Sequence, residues 1–249
     1  MTIIFRSIII AIFFFSSCTY EYQVVSISEE SVPIDEDLIS SEAGEKIIVP
    51  YRGMVESTMR EVICTSNKPL IKGRPESELG NLVADLCLEL AKEQMKDVAI
   101  DMCMMNTGGL RSSLPEGNIT LGDVYQLMPF ENELVVVQID GKGMADLIHY
   151  LKASGGEPIA GLQLIHTTGG FEAKINNETF DENKTYTVLT SDYLANGGDR
   201  MHFFMQDERK SIQSVGMKLR DAIAIYFKRQ GDKNEPLNPQ LDGRLQIKE

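Results

Sequence analysis

In "SELGNLVADLCLELAKEQ", residues 77–94, apolar side chains recur three and four positions apart. Leu79, Leu82, Val83, Leu86 and Leu90 fall on one stripe, which predicts an amphipathic helix with Ser77 as its cap. "GKGMADLIHYLKAS" (141–154) repeats the period through Met144, Leu147, Ile148 and Leu151. A last helix is predicted over "SVGMKLRDAIAIYFKRQ" (214–230), through Val215, Leu219, Ala222, Ile223 and Tyr226. Between them, short apolar or alternating runs read as strands: "DVAIDMCMM" (97–105), "ELVVVQID" (133–140), "LQLIHTT" (162–168), "FEAKIN" (171–176) and "YTVLTSD" (186–192). Gly and Asn turn signals separate several of them by hairpin lengths. The mixture predicts an α+β fold, an α/β sandwich with a mixed sheet, rather than a purely parallel one.

The first residues break this pattern. "MTIIFRSIIIAIFFFSSC" has one basic residue, Arg6, then a short apolar run, two serines and Cys18. That layout reads as a signal peptide over 1–17, with Cys18 as the lipid-carrying first residue of a bacterial lipoprotein. An ordinary signal peptide with an incidental cysteine, or an uncleaved anchor, would look similar. Residues 18–45 are acidic and aperiodic ("SISEESVPIDEDLISSEAGE", 26–45), which reads as a tether. Helical patterning begins near "KIIVPYRGMVESTM" (46–59), so residues 46–249 are assigned to one domain without internal repeats.

Charge narrows the partners. The formal net charge is −13, and loss of Arg6 with the signal would make it one unit more negative. Such a chain lacks the cations that displace counterions from nucleic acid, so no nucleic-acid partner is expected. Cys64, Cys87 and Cys103 are odd in number, show no CxxC spacing and lie in apolar surroundings, which predicts buried free thiols. His149, His166 and His202 are scattered, with no HExxH or HxH spacing, and neither a GxSxG elbow nor a P-loop occurs. No metal site is assigned to this chain.

What remains are three polar, glycine-bearing stretches: "RPESELGN" (74–81), "NTGGLRSSLPEGNITLGDVYQLMPFEN" (106–132) and "SDYLANGGDR" (191–200). They carry a helix opening Ser77–Leu82, the N-x-G-G-[IL]-R pattern Asn106–Arg111, the G-D-V-Y-x-[LM]-x-P-F-x-N pattern Gly122–Asn132, and Asp192–Asp199. With the closing "DGRLQI" (242–247), these motifs resemble, in order, the C-terminal substrate-binding domain of the 5′-nucleotidases. That group includes UDP-sugar hydrolases and cyclic-nucleotide phosphodiesterases, and the resemblance spans residues 46–247.

The resemblance implies a nucleotide or nucleoside ligand. Phe130 and Tyr193, each beside polar loop residues, would clamp the two faces of a base. Taken alone, each ring would read as a core anchor near a turn. Asp199 would accept hydrogen bonds from ribose hydroxyls, although an aspartate after two glycines also serves as a turn cap. Asn132 would read a base edge, Asn106 would brace the site, and Arg111 would fork onto phosphate oxygens. The family places an arginine just before the Leu-Gly-Asn helix; Arg74 lies about one residue from that position. The family's glycine and aromatic after Gly-Gly-Asp are replaced here by Arg200 and Met201.

Family members also carry a metallophosphatase domain with two metals, which performs the hydrolysis. In these 249 residues the signal and tether lead directly into the binding domain. The expectation is therefore the lipid-anchored binding half of a split hydrolase in the bacterial cell envelope, acting in nucleotide catabolism or scavenging. It would bind no cofactor itself, and divalent metals would sit in a separate metallophosphatase polypeptide. Alternatives are a stand-alone nucleotide-binding envelope protein, or an enzyme using its own Asp or His residues. Cys18→Ala is expected to release the protein from the membrane fraction or leave it unprocessed; an unchanged fractionation and mature N-terminus would refute the anchor.

Overall fold

A computed structural model describes residues 41–205 and 211–248. The expected signal, Cys18 and nearly all of the tether lie outside the described residues. The chain divides into two units, Met1–Lys46 and Ile47–Glu249, and the architecture below belongs to the second. Helix α1 (Glu42–Met59) begins in the last residues of the first unit, four residues before the predicted onset of helical patterning at Lys46, and has no buried residue.

The strands and helices then follow as β1 (Val62–Ser66), α2 (Glu78–Gln94), β2 (Met102–Met104), β3 (Gly117–Thr120), α3 (Leu121–Leu127), β4 (Glu133–Asp140) and α4 (Gly141–Ala153). They continue with β5 (Ile159–Ala160), β6 (Leu162–Thr167), β7 (Gly170–Ile175), β8 (Glu178–Thr179), β9 (Thr185–Ser191), α5 (Asp192–Ala195), β10 (Ile212–Lys218), α6 (Leu219–Asp232) and β11 (Leu245–Ile247). The central sheet has the order β10-β4-β9-β2-β5; only the β9–β2 pair is parallel. A second sheet, β11-β6-β7-β8, and a two-stranded β1-β3 ladder complete the fold. The chain is thus α+β with mixed sheets, as the sequence pattern predicts.

Side-chain alternation explains why the central sheet is covered on both faces. Leu134 and Val136 of β4, Cys103 of β2 and Leu189 of β9 join the core beneath α2 and α6. Their neighbours Val135, Val137 and Ile139, Met102 and Met104, and Val188 enter the opposite core beneath α4 and the second sheet. Helix α2 delivers its expected stripe to the first core, and the Ser77 side chain accepts from the Gly80 amide as its cap. Cys64, Cys87 and Cys103 are free and buried as expected, and burial pushes all three thiols well up.

One predicted element is wrong. Residues 214–218 are not helical: they end strand β10, and α6 begins at Leu219. Gly216 has φ +75°, a left-handed conformation that a helix cannot pass through, and the register with β4 shifts between Ser214 and Lys218. Val215 is buried by the sheet rather than by a helical stripe, whereas Leu219, Ala222, Ile223 and Phe227 keep the helical period. Strand β2 is also shorter than the run that predicted it, only Met102–Met104.

Helix α6 crosses β1 so closely that a Cβ on Gly231 would lie 2.0 Å from the Ile63 carbonyl oxygen. Gly231→Ala is therefore expected to cost about 1–3 kcal/mol in denaturant unfolding, the usual range for overpacking. Gly169→Ala, where nothing stands within 4 Å of the added carbon, should remain within about 0.5 kcal/mol of the parent.

Candidate ligand-binding site

Strands β2 and β9 run parallel, and β4 runs antiparallel to β9. The segments after β2 and β9 and the segment before β4 therefore emerge at one end of the central sheet. These segments are Asn106–Gly109, Asp192–Asp199 and Phe130–Asn132. They enclose an open cavity of about 300 Å³. Asn106, Phe130, Asn132, Tyr193 and Asp199 line it together, over an apolar floor that includes Met128 and Leu219.

The Asp199 carboxylate is held from both sides. Asn106 Nδ2 donates to Oδ2 at 2.7 Å and the Tyr193 hydroxyl donates to Oδ1 at 2.9 Å. The Tyr150 hydroxyl donates to the Asp199 carbonyl at 3.0 Å. Burial, with the nearby Glu157 and Asp199 charges, pushes the Tyr150 phenol up to about 12, so it remains a donor at neutral pH. Asp199 and Arg200 are non-glycine residues at φ +52° and +66°, a costly backbone region usually retained at functional turns. A Cβ on Gly198 would come within 2.5 Å of the Tyr193 ring, so the glycine lets the ring rest on the turn. Both rings face solvent: Phe130 is 41% and Tyr193 48% exposed.

Phe130 is placed by ion pairs beside it. Glu131 bonds to Lys218 and Arg220, and Arg220 Nη1 donates to the Phe130 carbonyl at 3.4 Å. The Arg220 guanidinium also lies 4.3 Å over the Tyr125 ring. Hydrogen bonds from Lys218 and Arg220 hold the Glu131 carboxyl down to about 2. Glu131, Arg220 and Tyr150 give no sequence signal of their own; each acts through a contact that the fold creates.

The two arginines differ. Arg111 does not line the cavity but stands at its rim, with its guanidinium 5.8 Å from the Phe130 ring centroid and Nη1 donating to the Gly108 carbonyl at 3.3 Å. It has no acidic partner among the described residues. Arg74 lies off the cavity: Nε donates to the Gly156 carbonyl at 2.8 Å and Nη2 pairs with Glu157. Among the described residues, no group of three or more His, Cys, Asp or Glu side chains is arranged to hold a metal ion. His166 is buried with Nε2 3.0 Å from the Ile148 carbonyl, and its burial lowers its pKa.

Residues 62–207 match the family model described as 5′-nucleotidase, C-terminal domain. The chain is 26% identical to the trifunctional nucleotide phosphoesterase protein YfkN of Bacillus subtilis, over 86% of this chain and 16% of that protein. It is 33% identical to protein UshA of Escherichia coli, over 58% of this chain and 26% of UshA. Among solved structures, the 5′-nucleotidase precursor of Thermus thermophilus superposes with a TM-score of 0.65 at 25% identity, covering 82% of this chain and 43% of that one. The chain thus spans less than half the length of each of these relatives.

The Glu131 pairs carry a pH signature. Its folded pKa lies below the ordinary 4.5, so its stabilisation is present above about 4.5 and fades as pH falls towards 2. Glu131→Gln is expected to lower Tm at pH 7 and to match the parent near pH 2. A Tm difference of the same size at pH 2 would show that the effect of the substitution does not come from the ionised carboxylate.

Proposed function

Because the chain belongs to the 5′-nucleotidase C-terminal domain family, we propose that it binds a nucleotide or nucleoside for a phosphohydrolase whose dimetal site is in a separate chain. The cavity between Phe130 and Tyr193, with the Asp199 carboxylate at its wall, is the observation that carries this reading. Two exposed rings on facing loops suit the two apolar faces of a base. Each Asp199 oxygen accepts one bond from the protein, and a carboxylate has about four lone-pair sites, so each can still accept from a sugar hydroxyl. Asn132 makes no hydrogen bond through its side chain among the described residues, which leaves its amide free for a base edge. Arg111, without an acid, supplies a fork for phosphate oxygens at the rim.

In this reading the two metals belong to the phosphatase and supply the stabilisation of attacking and leaving oxygens. This chain positions the substrate. The N-terminal lipoprotein pattern would place it in the bacterial envelope, where nucleotides are scavenged.

Calorimetry against nucleosides, nucleotides and nucleotide sugars tests the reading. Phe130→Ala and Tyr193→Ala should each weaken binding by about 1–3 kcal/mol without unfolding the domain. The purified chain should release no phosphate with Mn²⁺, Co²⁺, Zn²⁺ or Mg²⁺, yet lower the KM of a partner metallophosphatase, and Arg111→Ala should remove that gain. Metal-dependent phosphate release that is lost on mutating this chain's own residues would overturn the proposal. Binding with no effect on any phosphatase would return it to a stand-alone binding protein.

A further inference from the structure

The geometry points to Glu157 as a positioning residue for the ligand site, and to Arg74 as its counter-charge rather than a ligand contact. This rests on the nucleotide-binding reading of the cavity. The Glu157 side chain is only 3% exposed, and its two oxygens serve two separate segments. Oε1 pairs with Arg74 Nη2, and Oε2 accepts from the Thr107 amide at 2.6 Å. Thr107 opens a short 3-10 turn, Thr107–Gly109, and the preceding residue is Asn106, whose amide grips Asp199. The buried carboxylate is therefore one residue away from the contact that joins the two halves of the site.

The surroundings are built to hold Glu157 there. Gly155 and Gly156 sit at φ +78° and +109°, and a Cβ on Gly156 would lie 2.3 Å from the Pro75 carbonyl oxygen. The turn before Glu157 thus packs directly against the segment that carries Arg74. On the other side, the Met105 amide donates to the Pro158 carbonyl at 2.9 Å, which fixes the strand end from which Asn106 departs. A carboxylate this buried needs a charge partner, and Arg74 is that partner. With Nε on the Gly156 carbonyl and Nη2 on Glu157, the Arg74 fork is committed to this turn.

A phosphate contact and a positioning role make different predictions, because a nucleoside has no phosphate. In calorimetry with adenosine and adenosine monophosphate, uridine and uridine monophosphate, Arg74→Ala and Glu157→Gln should weaken nucleoside and nucleotide by the same factor, on the order of tenfold, about the loss of one charge-assisted contact. The double variant should be no weaker than Arg74→Ala alone, since both substitutions break one connection. Amide exchange should quicken at Thr107–Gly109 while β4 and β9 stay protected. Glu157→Gln leaves no buried charge, and its single oxygen cannot serve both Arg74 and the Thr107 amide, so it breaks the connection and remains testable if Arg74→Ala fails to fold. Loss confined to the nucleotides would make Arg74 a phosphate ligand and overturn the inference, as would unchanged binding in Glu157→Gln. If the parent bound none of the four ligands, the functional reading itself would fail first.

Discussion

The hydrogen bond from Asn106 to the Asp199 carboxylate joins residues 93 positions apart in the chain and sets the geometry of the site. Asn106 leaves the end of β2, and Asp199 lies beyond the end of β9. Parallel pairing of β2 and β9 makes this contact possible, because parallel neighbours deliver their following loops to the same edge. Had the pair been antiparallel, the loops would lie at opposite ends of the sheet. The Asp199 turn is strained in the left-handed region, and such a turn persists only when its surroundings over-determine it. Here Asn106 and Tyr193 each donate to the carboxylate and Tyr150 donates to the Asp199 backbone carbonyl, so side chain and turn are both held by the protein's own contacts.

The same contacts govern the rings. Tyr193 donates its hydroxyl to Asp199 and rests its edge on Gly198, so its orientation follows from the turn it helps to hold. Phe130 has no polar handle and depends on its neighbour Glu131, which Lys218 and Arg220 pull towards the start of α6. One ring is thus set by the turn itself and the other by surface charge. The Lys218 pair is exposed and individually weak, whereas Arg220 reaches Glu131 and the Phe130 carbonyl from a buried position.

The helical stripes of α2 and α4 and the strand runs of β4, β6, β7 and β9 were legible because they are long and periodic. The five cavity residues were legible as motifs, whereas their convergence was not, since it depends on strand order. The misread segment, Ser214–Lys218, shows the limit of periodicity. Val215 and Leu219 are four apart and both buried, which fits one helical stripe equally well as a strand running into a helix. Only the positive φ of Gly216 separates the two, and glycine adopts it without leaving a mark on the pattern. Glu157 was invisible for a different reason. A lone glutamate after two glycines reads as a surface turn, and its burial is created by Arg74 and Thr107, 83 and 50 residues away.

A chain of net charge −13 can still present a site suited to an anion, because screening makes local charge decisive. At physiological ionic strength the Debye length is about 8 Å, so carboxylates spread over the far surface contribute little at the cavity. Near it, each acid already has donors: Glu131 has Lys218 and Arg220, Glu157 has Arg74, and Asp199 has Asn106 and Tyr193. Arg111 at the rim and Arg200 beside Asp199 have no acidic partner among the described residues. Arg111 thus stands as a cation without such a partner at the open side, while the Asp199 carboxylate is held at the wall. Such a cavity is polarised in one direction, with hydrogen-bond acceptors at Asp199, apolar rings alongside and a cation at Arg111. On the proposed nucleotide-binding reading, sugar hydroxyls would meet Asp199, the base would meet the rings and the phosphate would meet Arg111, and these three contacts would fix the ligand's orientation.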